Sequence, residues 1–401
     1  MDIVQCPGCG REKEWDAFDP FCPACHEPAL FKKPDQKRHF HLSQPLALAS
    51  YADFLPLSGV DPALSLAEGD TPLLRLTRLS RDLGVTVWAK NESVNPTWSF
   101  KDRGTAVAVQ KAVAVGLRRI GTVSTGNMAA STAAYGARAG LKTFVLIKED
   151  TGPEKILSAA VHHPVLVAVQ GDYGELFRRS YELGRKHGIS FMNSVDPLRI
   201  EGYKITGFEI FNQLGSRPPD VLLVPVSSGG HFIGLARAFV DLQEEGLFSH
   251  LPLLVGVQAA GCAPLAKAFA EEKNTFERFP HPTTLAQSIS NANPPGGNIV
   301  LKLVRELGGT ILAVSDEEML EAQRILAEKE GLFCLPDSAV VLAGLLKLQE
   351  MTPFRAVDNA VLVITGSGLK NLHVFDSAPP AVTRIGLDEL GDTLAAFLEE
   401  P

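Results

Sequence analysis

From about residue 60 onward, short apolar runs rich in Val, Ile and Leu alternate with stretches of helical pattern. Apolar runs of this length, bounded by turn residues, read as strands buried on both faces. The candidate strands are Thr86–Lys90, Gly121–Ser124, Thr143–Ile147, Val165–Val169, Val221–Val226, Leu253–Gln258, Ile311–Val314 and Val361–Thr365. Between them lie helix-like segments at Phe100–Val115, Met128–Ala139, Tyr173–His187 and Glu317–Glu330. Strands alternating with helices predict parallel sheets covered on both sides, an α/β architecture. No fixed-period repeat points to a solenoid.

Three of the predicted strands end in small-residue loops, at Ser124–Asn127, Ser227–His231 and Thr365–Gly368. In open α/β sheets ligands bind outside the carboxyl ends of strands, so these loops predict one shared site. Val224–His231 is the best phosphate cradle, because successive backbone N–H groups at a helix start can face an anion together with the helix dipole. It has neither the nucleoside-triphosphate loop pattern nor Gly-x-Gly-x-x-Gly, which favours a smaller phosphorylated cofactor. In Asn95–Gly104, Pro96 stops what precedes, Thr97 or Ser99 is placed to cap a helix, and Lys101 falls in its first turn. There the dipole and burial favour the neutral amine that a Schiff-base nucleophile requires. A solvated helix start carrying Lys101, Asp102 and Arg103 fits the same spacing equally well.

Composition narrows the class. At 401 residues, 45% hydrophobic and 21% charged, the chain suits a soluble globular protein of two or three domains. A net charge of −8 argues against a nucleic-acid partner or an anionic membrane. No apolar stretch reaches the roughly 18 residues of a membrane span, and no basic-then-apolar leader opens the sequence, so a cytoplasmic location is expected.

The cysteines are unevenly placed. Cys6, Cys9, Cys22 and Cys25 form two Cys-x-x-Cys pairs with 12 residues between them. That spacing predicts a tetrahedral Zn2+ site in a small ribbon; four protein ligands close the shell, so its role is structural. Cys262 and Cys334 read as small core residues. His162 and His163 diverge on one element and read as a turn before the Val165 strand rather than as metal ligands. The polar stretch Phe31–His41 reads as part of a linker. The expected organisation is a four-cysteine head at 1–30, a linker at 31–60, and α/β domains at 61–200 and 201–401.

The segment Asn95-Pro96-Thr97-Trp98-Ser99-Phe100-Lys101-Asp102-Arg103-Gly104 resembles the Asn-Pro-Thr-Gly-Ser-Phe-Lys-Asp-Arg-Gly motif of threonine synthases. Those are pyridoxal-phosphate enzymes of the tryptophan-synthase-β-like fold (fold type II). Glu68–Leu73, Ser124–Asn127, Arg199–Gly202, Val226–His231 and Thr365–Lys370 resemble the same family in the same order, over about residues 60 to 371. The resemblance implies two parallel-sheet α/β domains, a homodimer and pyridoxal 5'-phosphate as cofactor. Lys101 would form the internal aldimine. Asn127 would bond the cofactor's phenolic oxygen, Ser228, Gly229, Gly230 and His231 its phosphate, and Thr365 its pyridine nitrogen. Ser124, Thr125 and Met128 would border the substrate carboxylate, with Trp98 and Ser99 also on the substrate side. Asn193, Ser194 and Arg199 would take an anionic tail, a task that suits the arginine fork.

Four departures mark this chain. Trp98 replaces the motif's Gly; Ser-Ser-Gly-Gly-His replaces a Gly-Asn-Gly-Gly-Asn type of loop; and Ser367 replaces His or Asn. Cys334–Ser338 stands where Glu-Pro-Ala-Ser is usual, removing an acidic group there. The expected reaction is elimination of phosphate from a small anionic phosphorylated amino acid, with O-phospho-L-homoserine and water giving L-threonine. Alternatives are β-replacement on O-phosphoserine by sulfite, as in cysteate synthases, a serine/threonine ammonia-lyase, and a non-catalytic zinc-ribbon binding protein. Trp98, filling a pocket meant for a longer substrate, favours the first of these alternatives.

Overall fold

Each apolar run forms a strand in the computed structural model, which describes residues 2–33, 48–149, 151–351, 358–372 and 382–399. At the N-terminus, β1 (Ile3–Gln5), β2 (Glu12–Glu14) and β3 (Leu30–Phe31) make an antiparallel sheet with β1 in the middle. The body's strands are β4 (Leu73–Arg75), β5 (Thr86–Asn91), β6 (Arg119–Val123), β7 (Lys142–Lys148), β8 (Val165–Val169) and β9 (Ser190–Phe191). They continue as β10 (Val221–Pro225), β11 (Leu253–Ala259), β12 (Thr310–Val314) and β13 (Asn359–Ile364).

Two sheets result. One has the order β12-β11-β10-β13-β5-β4, parallel except for the edge pair β4 and β5. The other, β8-β7-β6-β9, is wholly parallel. The expected division at residue 200 does not follow the sheets. β5 pairs with β13, the last strand among the described residues, so residues 73–91 belong with the C-terminal half and 119–191 form an inserted sheet. Strand order of this kind depends on crossovers that local patterning does not encode.

The ends of the expected linker are also structured. Phe31 is buried in β3, and Leu48, Tyr51 and Phe54 pack into the main core. The remainder of that stretch, 34–47, lies outside the described residues.

The Lys101–Ala114 helix is buried from Asp102 to Ala112 and packs on the Pro197–Gln213 helix. Their approach is close: a Cβ on Gly202 would lie 2.4 Å from the Arg103 carbonyl oxygen. A buried ion network locks this pairing to β5. Arg103 grips Glu209 with Nη1 and Nη2, each at 2.7 Å, and Glu92 with Nε at 2.5 Å and Nη2 at 2.7 Å. Lys90 bonds Glu209 at 2.6 Å, and Thr71 donates to Glu92 at 2.7 Å. Bidentate geometry and matched charge are what allow such groups to be buried. Arg103 holds both carboxyls below their usual range against the opposing cost of burial, with Lys90 contributing.

Among the described residues no helix is long and apolar enough to cross a membrane.

Candidate active site

The loop that leads into Lys101 is built by pairing with the end of β13. Phe100 N donates to Thr365 O at 3.1 Å, and Ser367 N donates to Trp98 O at 3.2 Å. The expected side-chain cap is absent. Thr97 instead donates its N–H and hydroxyl to the Asp102 carboxylate, both at 2.6 Å, and Ser99 Oγ is buried without a partner. Trp98 adopts a left-handed backbone (φ 60°), the region where the motif's glycine would carry no Cβ penalty. Its ring is neither core nor fully covered, being 52% exposed.

Lys101 opens the helix with Nζ 4.3 Å from the centroid of the Phe100 ring and 5.9 Å from that of Tyr203. Desolvation of the amine, reinforced by the positive charge of Arg199, lowers its pKa to about 7. The phosphate-type loop lies against the same rings. His231, in the first turn of the Gly230–Glu244 helix, stacks on Phe100 at 3.9 Å and meets Tyr203 edge-on. Burial, aided by the charges of Lys101 and Arg103, holds the His231 imidazole neutral, well below its usual pKa.

Glycine is required at two points of this loop. Gly229 has φ 97°, and a Cβ on Gly230 would lie 2.4 Å from Ser194 O. The loop's oxygens are held from behind: Gly296 N donates to Ser228 O at 3.0 Å and Asn291 Nδ2 to Ser228 Oγ at 2.9 Å. The first N–H groups of a helix have no partner within it, so this turn has donors left for an anion.

Thr365, at the end of β13, exchanges a hydrogen bond with Ser338 at 2.8 Å, and Ser338 Oγ accepts from Gly366 N at 3.0 Å. Asn127 begins the Asn127–Arg138 helix, and its Oδ1 accepts from Lys370 Nζ at 2.6 Å. Ser124 and Thr125 lie half-buried in the loop before it, and Met128 is buried in its first turn. Ser194 abuts Gly230.

Arg199 is fully buried. It donates to Met192 O, Thr105 Oγ1 and Thr132 Oγ1 at 2.6–2.7 Å, using three of the five N–H groups of a guanidinium. Asn193 differs from the sequence expectation. Its Oδ1 accepts from Val123 N at 2.8 Å and its Nδ2 donates to Ser180 at 3.1 Å, so it braces the base of the Ser124 loop instead of offering a free group.

The loops therefore bring Ser99, Lys101, Asn127, Ser194, His231 and Thr365 close together. Ser99 Oγ, Tyr203 OH and both ring nitrogens of His231 are buried polar atoms without hydrogen-bond partners. Such groups are costly unless a ligand meets them. Together with the neutral amine and the glycine turn, they fit a small phosphorylated aldehyde cofactor. Phe100, Tyr203, Asn291, Ser338 and Lys370 escaped the sequence reading as site residues. Lys370 at least lay within the quoted Thr365–Lys370 motif.

The acidic group missing from the Cys334–Ser338 stretch reappears as buried Asp337. It accepts from Ser288 N at 2.5 Å, and burial raises its pKa to about 6.

In the head, the four sulfurs of Cys6, Cys9, Cys22 and Cys25 lie within 4.8 Å of one another, with separations of 3.3, 3.6 and 3.8 Å among them. A tetrahedral zinc with Zn–S of about 2.3 Å needs S···S of about 3.8 Å, so this donor set fits. The head is bound to the body. Asn298 donates to Glu27 at 2.7 Å and Lys302 to Pro7 O at 2.6 Å, both from the Gly297–Glu306 helix. A cavity of about 440 Å³ lies between them, lined by Gly8, Glu27 and Lys302, and includes none of the groups around Lys101.

Comparison with known proteins agrees with this geometry. A model for the family "Pyridoxal-phosphate dependent enzyme" matches residues 64–366. Threonine synthase of Methanocaldococcus jannaschii is 37% identical over 323 residues, 80% of each chain. Threonine synthase of Mycobacterium bovis is 37% identical over 354 residues, 87% of this chain and 95% of its own. Among solved structures, a threonine deaminase from T.th. superposes with a TM-score of 0.62 at 27% identity, covering 74% of this chain and 92% of its own.

Proposed function

The chain belongs to the threonine synthase family of pyridoxal-phosphate-dependent enzymes, and from that premise we propose that it converts O-phospho-L-homoserine and water to L-threonine and phosphate. It is a pyridoxal-phosphate-dependent lyase, which removes the non-catalytic reading. The observation that carries the site assignment is the desolvated amine of Lys101, with a pKa of about 7, beside the Phe100 ring, while Phe100 itself bonds Thr365 and stacks on His231.

When bound, pyridoxal phosphate supplies an electron sink for the substrate's α carbon. Ser228, Gly229, Gly230 and His231 would hold its phosphate, mostly through backbone N–H groups, with His231 adding one ring N–H as a neutral imidazole. Asn127 would donate to the phenolic oxygen. Thr365 would meet the pyridine nitrogen with a neutral hydroxyl, which would leave the ring less electron-withdrawing than a carboxylate partner would and so favour elimination and replacement over transamination. Ser124, Thr125 and Met128 would border the substrate carboxylate, with Ser99 beside them. Ser194 and the two remaining N–H groups of Arg199 would take the phosphate tail.

Lys101, neutral near pH 7, would remove and return protons at the α and β carbons. Phosphate then leaves the γ carbon with its electron pair and water adds at the β carbon. Phosphate release measured on O-phospho-L-homoserine, and on O-phosphoserine with and without sulfite, tests this. Release from the first substrate with equimolar threonine is expected. Release only from O-phosphoserine in the presence of sulfite would replace this reading with β-replacement.

That second reading rests on Trp98, whose half-exposed ring stands beside the lysine loop and could shorten the pocket. Trp98→Gly should relieve about 1 kcal/mol of left-handed strain. It should also shift the ratio of kcat/KM between the two phosphorylated substrates by about tenfold. Cofactor affinity should stay within about twofold, as a contact outside the cofactor shell predicts. Equal losses in turnover and cofactor binding would contradict a pocket role.

The four-cysteine head would hold one structural Zn2+, and the protein would act as a homodimer. Metal analysis should return one zinc per chain. Cys22→Ser should remove that zinc and lower the thermal midpoint while leaving the cofactor's absorption band in place; zinc content unchanged in Cys22→Ser would contradict the site.

A further inference from the structure

Lys370 brings a cation to Asn127 that the reading above leaves without a task. It sits in the Gly368–Lys370 turn just beyond β13, and that turn is packed against Phe333 and Cys334. A Cβ on Gly368 would lie 2.6 Å from the Phe333 ring, Gly368 N donates to Phe333 O at 3.2 Å, and Cys334 bridges Ser367. From this turn Lys370 Nζ reaches across to Asn127 Oδ1 at 2.6 Å. The buried Asp102 carboxylate, itself fixed by Thr97, opposes the effect of burial on Lys370, whose pKa comes down only to about 8 and leaves it a cation at neutral pH.

An ammonium can only donate, whereas a carboxamide has one accepting and one donating end. The contact therefore decides which end of Asn127 faces Lys370: it must be the oxygen. The amide nitrogen is then turned towards Gly366, where a Cβ would lie 3.7 Å from Nδ2, just beyond Thr365. Among the described residues no other group bonds the Asn127 amide, so without the cation either end of it is free to face the lysine side.

We propose that Lys370 is a positioning residue that fixes the Asn127 amide so that its N–H group, not its oxygen, is presented to the cofactor's phenolic oxygen. This rests on the reading that Asn127 faces the cofactor. In this role Lys370 acts through Asn127 alone.

The test is a double-mutant cycle read by cofactor titration and by the position of the bound cofactor's visible absorption band. Lys370→Met should weaken cofactor binding about fivefold, the equivalent of one hydrogen bond, and move the band. Lys370→Arg, which restores a cationic donor, should remain within about twofold of the parent. In an Asn127→Ala background, Lys370→Met should add no further loss. If Asn127→Ala weakens binding but Lys370→Met does not, Asn127 keeps its role and the positioning inference fails. If Asn127→Ala itself changes neither affinity nor band, the reading of Asn127 fails, and the inference with it. Undiminished loss from Lys370→Met in the Asn127→Ala background would also overturn it. Should Lys370→Met not fold, Asn127→Asp serves: it keeps the contact to Lys370 but has no N–H, so a loss as large as that of Asn127→Ala is expected and retained affinity contradicts.

Discussion

Lys101→Ala should lower phosphate release by at least about 10³-fold and abolish the visible band of the bound cofactor, because it removes the nucleophile and the proton carrier together. The pH dependence of loading should carry the same signature. Desolvation and Arg199 bring this amine to a pKa of about 7, so cofactor incorporation into apoprotein should speed up as pH rises through 7 and level off above it. An ordinary exposed lysine would keep accelerating towards pH 10. Lys101→Arg should be as inactive as the alanine variant, since a guanidinium does not lose its proton in this range. Stopped-flow absorbance during reconstitution measures the loading rate. A rate still climbing at pH 9 would contradict the depressed pKa.

The largest stability effect is expected at Arg103. Its guanidinium, with Lys90, balances the buried carboxylates of Glu92 and Glu209, and all four side chains are essentially inaccessible. Arg103→Ala leaves two carboxylates facing one lysine in the core, and breaking a buried pair in this way costs about 3–5 kcal/mol. The sign of its pH dependence follows from the carboxyls. In the parent their pKa values are held below the usual range, so the stability they contribute is present above the unfolded value and lost as pH falls through the folded one. In Arg103→Ala that stabilisation is gone and the carboxyls protonate more readily. The deficit relative to the parent should therefore shrink as pH falls from 7 towards 5. Urea unfolding at both pH values measures it; a change below about 1 kcal/mol at pH 7 would show that the network is not structurally critical. Activity should fall as well, because Arg103 is two residues from Lys101 on the same helix.

The segments that advertised themselves in the sequence were those with a single clear period. All the apolar runs from Thr86 to Thr365 became strands, and the Tyr173–His187 helix, with one face buried and one wet, was legible to the residue. The Pro197–Gln213 helix was not, because nearly every position from Pro197 to Phe211 is buried and no polar face marks the turn of the helix. The same holds for Pro336–Met351. Pairing of β5 with β13 joins residues some 270 positions apart and leaves no local mark.

The site divides the same way. The Ser227–His231 loop drew notice because a left-handed turn favours glycine, met here at Gly229; Lys101 was singled out by the resemblance of its segment, since spacing alone fitted a solvated helix start equally well. Tyr203 and Lys370 drew no notice as site residues in the sequence, because each meets these residues only through tertiary packing, Tyr203 against His231 and Lys370 against Asn127. Trp98 is the reverse case. The sequence flagged it as an intruder, and its φ of 60° gives the physical reason that a glycine suits the position.

The measurement that bears most directly on the account is the identity of the lysine that carries the cofactor. Borohydride reduction of the holoenzyme, followed by peptide mass mapping, should place one pyridoxyl-phosphate adduct per chain on Lys101 and none on Lys90 or Lys370. An adduct on another lysine, or none at all after reconstitution with pyridoxal phosphate, would contradict it.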